Sequence, residues 1–335
     1  CNPCGGGALS RNGNLPQTPK SGHRLDSVRP WQADQGVPEY SAPSGVERGV
    51  MLKSLLSIKS LCLGIALGVV GGTVHAADAD DALDSSDVLV RSQAKGMLTA
   101  CADPYDFPYS LQNSDPPGFD IEIMRQVAKR GGMRLDLFWI NTASRGGTSR
   151  AFRNSILSKK CDVFLGLSDN GDDDMLMHRM VFTKPYIGMG YVLVTQGKAA
   201  GLKTMEEVRD AGLKIGVSMS TPMDDYLFTK QIPRELYADN RRIMGGLTKG
   251  EVDAGLMWST ALGVARMEFP KAQFKMVDGY VPGEGARFNG AWAVRKEDKS
   301  LIKFINEGID ELLANGRIKE IVESYGVPFF SPFPQ

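Results

Sequence analysis

Cys101-Ala102-Asp103-Pro104-Tyr105-Asp106-Phe107-Pro108-Tyr109, then Gly118-Phe119-Asp120-Ile121-Glu122-Ile123, then Lys160-Cys161-Asp162-Val163-Phe164-Leu165-Gly166, are the stretches that decide the fold. Residues 97–101 read as a short buried strand that runs into a polar and aromatic loop. Residues 119–130 place Ile123, Val127 and their neighbours at helical spacing, and Gly131-Gly132 ends that helix as C-terminal glycines do. A strand over 135–139, a helix over 149–158 and a strand over 162–167 follow. Strand and helix in alternation at this spacing predict parallel strands joined by right-handed crossovers.

Beyond the Thr183-Lys184-Pro185-Tyr186 segment a strand is expected over 190–196, and after a polar stretch the alternation restarts. Strands are expected at 214–218, 253–258 and 274–277, with helices at 223–230, 241–250 and 259–269. A return strand at 291–295 leads to amphipathic helices at 299–315 and 318–325, carrying Leu301, Phe304, Ile305, Ile309, Leu312 and Leu313 on one face. The pattern predicts an α/β chain of two lobes joined by two extended crossings. Its expected organisation is 96–192 for the first part of lobe 1, 193–288 for lobe 2, and 289–335 for a return to lobe 1 with a tail. The tail, Val327-Pro-Phe-Phe-Ser-Pro-Phe-Pro-Gln335, is kept extended by its prolines and carries three phenylalanines that need cover.

Upstream, residues 51–60 form a basic n-region, 61–70 an apolar h-region, and Val74-His75-Ala76 a small-residue cleavage site, the pattern of a secretory signal peptide. The apolar run is too short and too rich in glycine for a membrane span, so no stable span is expected once the signal is cleaved near Ala76. Residues 1–50 lack an apolar period and are expected to be an extension outside the mature protein. Residues 77–95 are expected to be a linker. Taking away residues 1–76, with seven basic and four acidic side chains, leaves 32 Lys and Arg against 35 Asp and Glu. A net charge near minus three carries no footprint for nucleic acid. The remainder keeps two cysteines, Cys101 and Cys161, and one histidine, His178, which excludes cysteine-rich zinc sites and histidine relays. No catalytic residue is assigned, because His178 has no serine or cysteine motif beside it. Gly188-Met189-Gly190 and Gly283-Glu284-Gly285 sit in no strand-to-helix phosphate turn, so no cofactor is expected. No metal is expected either, since the acidic run at 169–174 lacks the alternating ligands and terminal glutamate of a calcium loop.

In order along the chain stand Asp103 to Ser110 with its internal proline, Gly118-Phe119-Asp120, Cys161-Asp162-Val163, Thr183 to Tyr186, and Gly250-Glu251-Val252-Asp253. With these elements the chain resembles the type II periplasmic solute-binding proteins, family 3-like, over residues 97–327. The resemblance implies a periplasmic location and a hinged cleft faced by the loops after strands and by helix N-termini. More narrowly, Cys101-Ala-Asp-Pro with Cys161-Asp, and Trp258 after the Gly-Glu-Val-Asp strand, are similar to the MxaJ, MoxJ and XoxJ branch associated with methanol oxidation. That branch implies a non-catalytic accessory that assists assembly or activation of a PQQ-dependent methanol dehydrogenase by protein contact. The alternative is the receptor of an ABC importer for a small solute held in the interlobe cleft. Amino-acid receptors of this fold place an arginine about nine residues before the Pro-Tyr, where its guanidinium forks onto the ligand carboxylate. Leu176 stands there in this chain, with Asp172 to Asp174 just before it, and Arg179 reaching around is the alternative clamp.

Cys101 and Cys161 are read as a disulfide on redox grounds, with two buried thiols as the alternative. One register concern attaches to them, because parallel pairing of their strands threatens to hold the Cα atoms beyond the roughly 7 Å that a bridge spans. Candidate cleft or partner residues in lobe 1 are Asp103, Tyr105, Phe107 and Tyr109, whose rings serve equally well as ligand walls or as packing for their own loop. Ser168 and Tyr186 join them, Tyr186 being equally well explained by hinge packing. From lobe 2 and the return crossing come Ser220, Thr221, Trp258 and Asn289.

Overall fold

The computed structural model describes residues 85–169 and 178–334. The extension at 1–50, the leader at 51–76, residues Asp172 to Asp174 and Leu176 lie outside them. Lobe 1 is built on three parallel strands, β1 (Met97–Ala102), β4 (Arg134–Trp139) and β5 (Val163–Ser168), with β1 in the middle. Lobe 2 repeats the arrangement with β8 (Ile215–Ser218) in the middle of β9 (Arg234–Tyr237) and β10 (Ala254–Trp258), again parallel.

Two long strands connect these sets. The first half of β7 (Ile187–Thr195) pairs with β12 (Arg287–Arg295), and its second half pairs with β10. In β12 the division is mirrored: residues 287–290 face β7, and residues 290–294 face β5. The result is one continuous sheet in the order β4-β1-β5-β12-β7-β10-β8-β9. The strands of both crossings begin earlier than the expected 190–196 and 291–295, at Ile187 and Arg287, and include Gly188, Gly190 and Gly290. These glycines are points of close approach. A Cβ on Gly188 would sit 2.7 Å from the Phe333 ring, and one on Gly190 2.5 Å from Pro282.

The helices take their positions from caps and apolar stripes. Helix α2 (Phe119–Arg130) has acids in its first turn and Lys129 and Arg130 in its last, which suits the helix dipole. It buries Phe119, Ile121, Ile123, Met124 and Val127 on the sheet. Gly132, at φ +72°, closes it in a Schellman pattern, with the Met133 amide reaching the Ala128 carbonyl at 3.1 Å. Helices α8 (Lys299–Ala314) and α9 (Arg317–Ser324) return to pack on α2 and complete the lobe 1 core. In lobe 2 the sheet is covered on both faces, one side by Leu227 and Val208, the other by Ile243 and Leu247. No helix among the described residues is long and apolar enough to cross a membrane.

Part of the expected linker is helical instead. Residues Val88–Lys95 form helix α1, capped by Asp87, which accepts the Leu89 amide at 2.8 Å, and closed by Gly96 in the left-handed region. Only Val88 and Ser92 are buried, so the apolar stripe is too thin to announce itself. Its capping Asp87 also accepts the Ser300 hydroxyl at 2.7 Å, which docks the helix on α8.

The tail is covered, and by both lobes. Phe329 packs on the lobe 1 core and Phe330 on one face of lobe 2. The Gly188 amide donates to the Phe330 carbonyl at 2.8 Å, and the Arg287 guanidinium lies 4.6 Å from the Phe333 ring centroid.

Cys101 and Cys161 are joined, with Cα atoms 5.6 Å apart. The register concern is resolved by a bend. Cys101 is paired with Phe164, so an extended Cys161 would lie well down the strand, but the chain turns at Asp162 before β5 begins. Buried Arg295 holds that turn, donating to the carbonyls of Ile156 at 2.9 Å and Cys161 at 2.6 Å. The bridge closes a separation of 60 residues. Replacing both cysteines by alanine is expected to cost about 4 kcal/mol in the chain-entropy model, read as a lower urea midpoint. A loss below about 1 kcal/mol would show that the denatured chain does not gain the freedom assumed here.

Candidate functional site

The loop that follows β1 meets the one that follows β10 beside the crossing of β7 and β12, where Tyr109 reaches Thr260, as open α/β sheets dispose their ligand crevices. At the end of β1, Asp103 is buried and spends its carboxylate locally. It accepts the Tyr105 amide at 2.8 Å, and the Thr142 amide and hydroxyl at 2.6 Å each, tying the loop after β1 to the loop after β4. The next residues pair as a two-strand turn, β2 (Tyr105–Asp106) with β3 (Ser110–Leu111). Alternation along β2 sends Tyr105 to solvent, where it is 62% exposed, and Asp106 inward. Phe107 packs in the lobe 1 core, 6.0 Å from the Tyr325 ring.

Tyr109 crosses between lobes. Its ring lies 4.8 Å from Phe119, its hydroxyl donates to the Met189 sulfur at 2.8 Å, and it stands 3.4 Å from the Thr260 hydroxyl of lobe 2. Trp258, half-buried at the end of β10, lies edge-on to Tyr191 at 5.3 Å and 5.8 Å from Phe288. Tyr191, Trp258 and Phe288 thus form a continuous, half-buried aromatic surface at the base of the crevice, and half-buried Tyr109 reaches the same strand end through Thr260. Of these, Tyr191 and Phe288 escape sequence reasoning; both lie on the crossing strands, and the crossing itself is the signal.

Other candidates are occupied elsewhere. Tyr186 is fully buried, stacks on Trp292 at 4.5 Å, and donates to Asp120, so it serves the hinge core. Asn289 uses its amide as a clasp for the tail, accepting from the Phe333 amide at 2.8 Å and donating to the Phe333 carbonyl at 3.0 Å. Thr221 caps helix α5 (Pro222–Thr229), which follows α4 (Met205–Asp210) among the described residues. Its hydroxyl donates to the Ser218 carbonyl at 2.7 Å and accepts the Asp224 amide at 3.3 Å. Ser220 is exposed at φ +58°, its amide held by Asp224 at 3.0 Å. Ser168 stands half-buried at the crevice end of β5, paired with Gly290.

The electrostatics centre on two acids. Asp120, at the start of α2, is fully buried and accepts the Gly166 amide at 2.7 Å together with the Tyr186 hydroxyl. Burial nevertheless outweighs those bonds and pushes its carboxyl up to about 7. Asp106 is pushed up to about 7 as well, first by burial and then by the charges of Asp103 and Asp120. The groups that face Asp106 are Asp103, Asp120 and Tyr109. A raised carboxyl keeps its proton in the folded chain between about pH 4 and pH 7, where the unfolded chain has released it. The folded state therefore binds more protons in that window. Stability is expected to fall as pH rises from 4 to 7 and to level off above, by up to about 1.4 kcal/mol per pH unit for each group. Asp106→Asn should give urea midpoints with a shallower fall between pH 4.5 and 7.5, and an unchanged slope would contradict the assignment.

The profile of the bacterial extracellular solute-binding proteins, family 3, matches residues 98–328. L-cystine-binding protein TcyJ of Escherichia coli (strain K12) is 24% identical over 267 residues, 78% of this chain and 92% of its own length. Probable amino-acid-binding protein YxeM of Bacillus subtilis (strain 168) is 24% identical over 230 residues, 68% of this chain and 81% of its own. Among solved structures, the L-cystine solute receptor of Neisseria gonorrhoeae in its unliganded open conformation superposes with a TM-score of 0.59 at 17% identity, covering 72% of this chain and 98% of the receptor. That likeness bears on the fold, and the profile match settles membership: the chain belongs to the bacterial extracellular solute-binding proteins, family 3.

Proposed function

We propose that this protein is a periplasmic receptor that captures a small solute between its lobes and delivers it to an ATP-driven importer, after export through a signal peptide cleaved near Ala76. The observation that carries this reading is the surface formed by Tyr109, Tyr191, Trp258 and Phe288, drawn from both lobes and from both crossing strands, with the carboxyl of Asp106 beside it. Surfaces of this kind, mostly apolar with a few polar groups between domains, are where small molecules bind. The relatives named above are binding proteins for amino acids, L-cystine among them, which supports the same reading.

The accessory role beside a PQQ-dependent methanol dehydrogenase rests on the two cysteines and Trp258. Cys101 and Cys161 are 0% and 1% exposed, so their bridge offers nothing to a partner and is explained as a staple of lobe 1. Trp258 is explained by its place in the crevice. Receptor function therefore has the better support.

A thermal-shift screen of the chain from Ala77 onward against a panel of amino acids, amines, sugars and organic acids tests the proposal. A bound solute at a hundred times its dissociation constant should add about 2.7 kcal/mol of stability, several degrees in melting temperature. Capture of a periplasmic quinoprotein dehydrogenase in a pull-down, with no stabilising solute in the panel, would overturn it in favour of the accessory role.

A further inference from the structure

Three carboxylates lie together under the crevice, and they are not equivalent. Asp103 spends its oxygens on the loop after β4, and Asp120 spends its own on Gly166 and Tyr186. Asp106 makes no side-chain hydrogen bond or ion pair among the described residues, although its carboxyl stands 3.4 Å from the point where a Cβ on Gly166 would project. It holds nothing in the fold, and it borders Tyr109, from which the aromatic surface runs on to Trp258.

Among the described residues no basic side chain pairs with this group. The charges that act on Asp106 are the two aspartates, with no lysine or arginine among them, and none acts on Asp120. A ligand carboxylate entering here would meet negative charge with nothing to neutralise it, at a cost that grows as water is excluded. A ligand cation would find a counter-ion in Asp106 and electron-rich faces on Tyr109, Trp258 and Tyr191.

We propose that the crevice selects a small organic cation, an ammonium or guanidinium group on an apolar body without a carboxylate, with Asp106 as its counter-ion and the aromatic surface covering the body. This inference rests on the receptor reading and narrows its substrate class away from zwitterionic amino acids. The raised carboxyl of Asp106 adds a pH signature, since a bound cation favours the ionised form and affinity then strengthens as pH rises toward 7.

Matched probes separate the possibilities: phenethylamine against phenylalanine, agmatine against arginine, and choline, each measured by calorimetric titration at pH 5, 6.5 and 8. At least one amine is expected to bind tenfold or more tightly than its amino acid, with affinity higher at pH 8 than at pH 5. Asp106→Asn, which removes a group that holds nothing in the fold, should lower that affinity at least tenfold while the melting temperature shows a folded protein. Trp258→Leu, which keeps apolar packing and loses the ring, should weaken it several-fold. An amino acid bound as tightly as its amine, or an Asp106→Asn variant that binds the amine unchanged, overturns the cation assignment and leaves the receptor reading standing. Silence from every probe, with no solute found in the wider panel, overturns both.

Discussion

Two strands have to serve two hydrophobic cores at once, and the remaining architecture is arranged around that requirement. β7 and β12 pair with each other over 187–190 and 287–290, then part, one into each lobe. Where they pair, side chains are trimmed to glycine because other chain segments come within contact of the backbone. The Phe333 ring lies over Gly188, Pro282 over Gly190, and Ile187 over Gly290. A methyl group at any of these places would push the tail, the preceding loop or the partner strand away. The crossing therefore fixes the tail as well. Asn289, on one crossing strand, grips Phe333 through its backbone, while Gly188, on the other, takes the carbonyl of Phe330. With Phe329 and Phe330 facing different lobes, the tail spans the same boundary as the strands it rests on.

The crossing also determines which residues are free to bind. Polar groups near a buried junction have to be satisfied within the fold, and most of them are. Asp103 stitches two loops together, Asp120 joins the start of α2 to β5 and to Tyr186, and Thr221 caps a helix. Asp103 and Thr221 look like ligand groups in sequence because each is polar and follows a strand. Each is structural because the backbone around it has amides that need acceptors. What remains uncommitted is Asp106 and the exposed faces of the aromatic residues. On the receptor reading proposed above, these are the groups left to meet a solute.

The fold is legible in the sequence where local signals and tertiary packing agree. Helix α2 runs over Phe119–Arg130, the span that its apolar spacing and flanking glycines predict, and the alternation of strands and helices in both lobes is equally plain. Legibility fails where a residue's role depends on a neighbour distant in sequence. Gly188 and Gly290 resemble strand breakers until the tail and the partner strand are placed beside them. Residues Arg234–Tyr237 form an edge strand whose side chains are mostly half-buried or exposed, so no alternation marks it. At the site, the aromatic residues of 105–109 attract attention by type, whereas the direction of Asp106 depends on a pairing of two-residue strands too short to leave a pattern. Tyr191 and Phe288 belong to the surface only because the two crossings pass side by side.

The cysteines show the opposite failure, a sequence feature that stands out and yet says little about function. A rare residue in two matching strand positions invites a specialised role. In the structure the bridge lies beneath the sheet, packed with Phe152, Phe164 and Met180, and Arg295 pins the turn that makes it possible. That guanidinium is itself buried and paired with Asp298 at 2.7 Å and Asp162 at 3.4 Å, so bridge, cation and acids form one internal unit joining β1 and β5 to the return strand. Such a unit stabilises lobe 1 whatever the crevice binds. It is compatible with a receptor as readily as with an accessory protein, and it cannot discriminate between them. The discriminating groups are the ones that stabilise nothing. A carboxylate without a side-chain partner among the described residues, beside half-buried aromatic faces, has a desolvation cost and no structural return, and on the proposal above a cationic ligand would offset that cost.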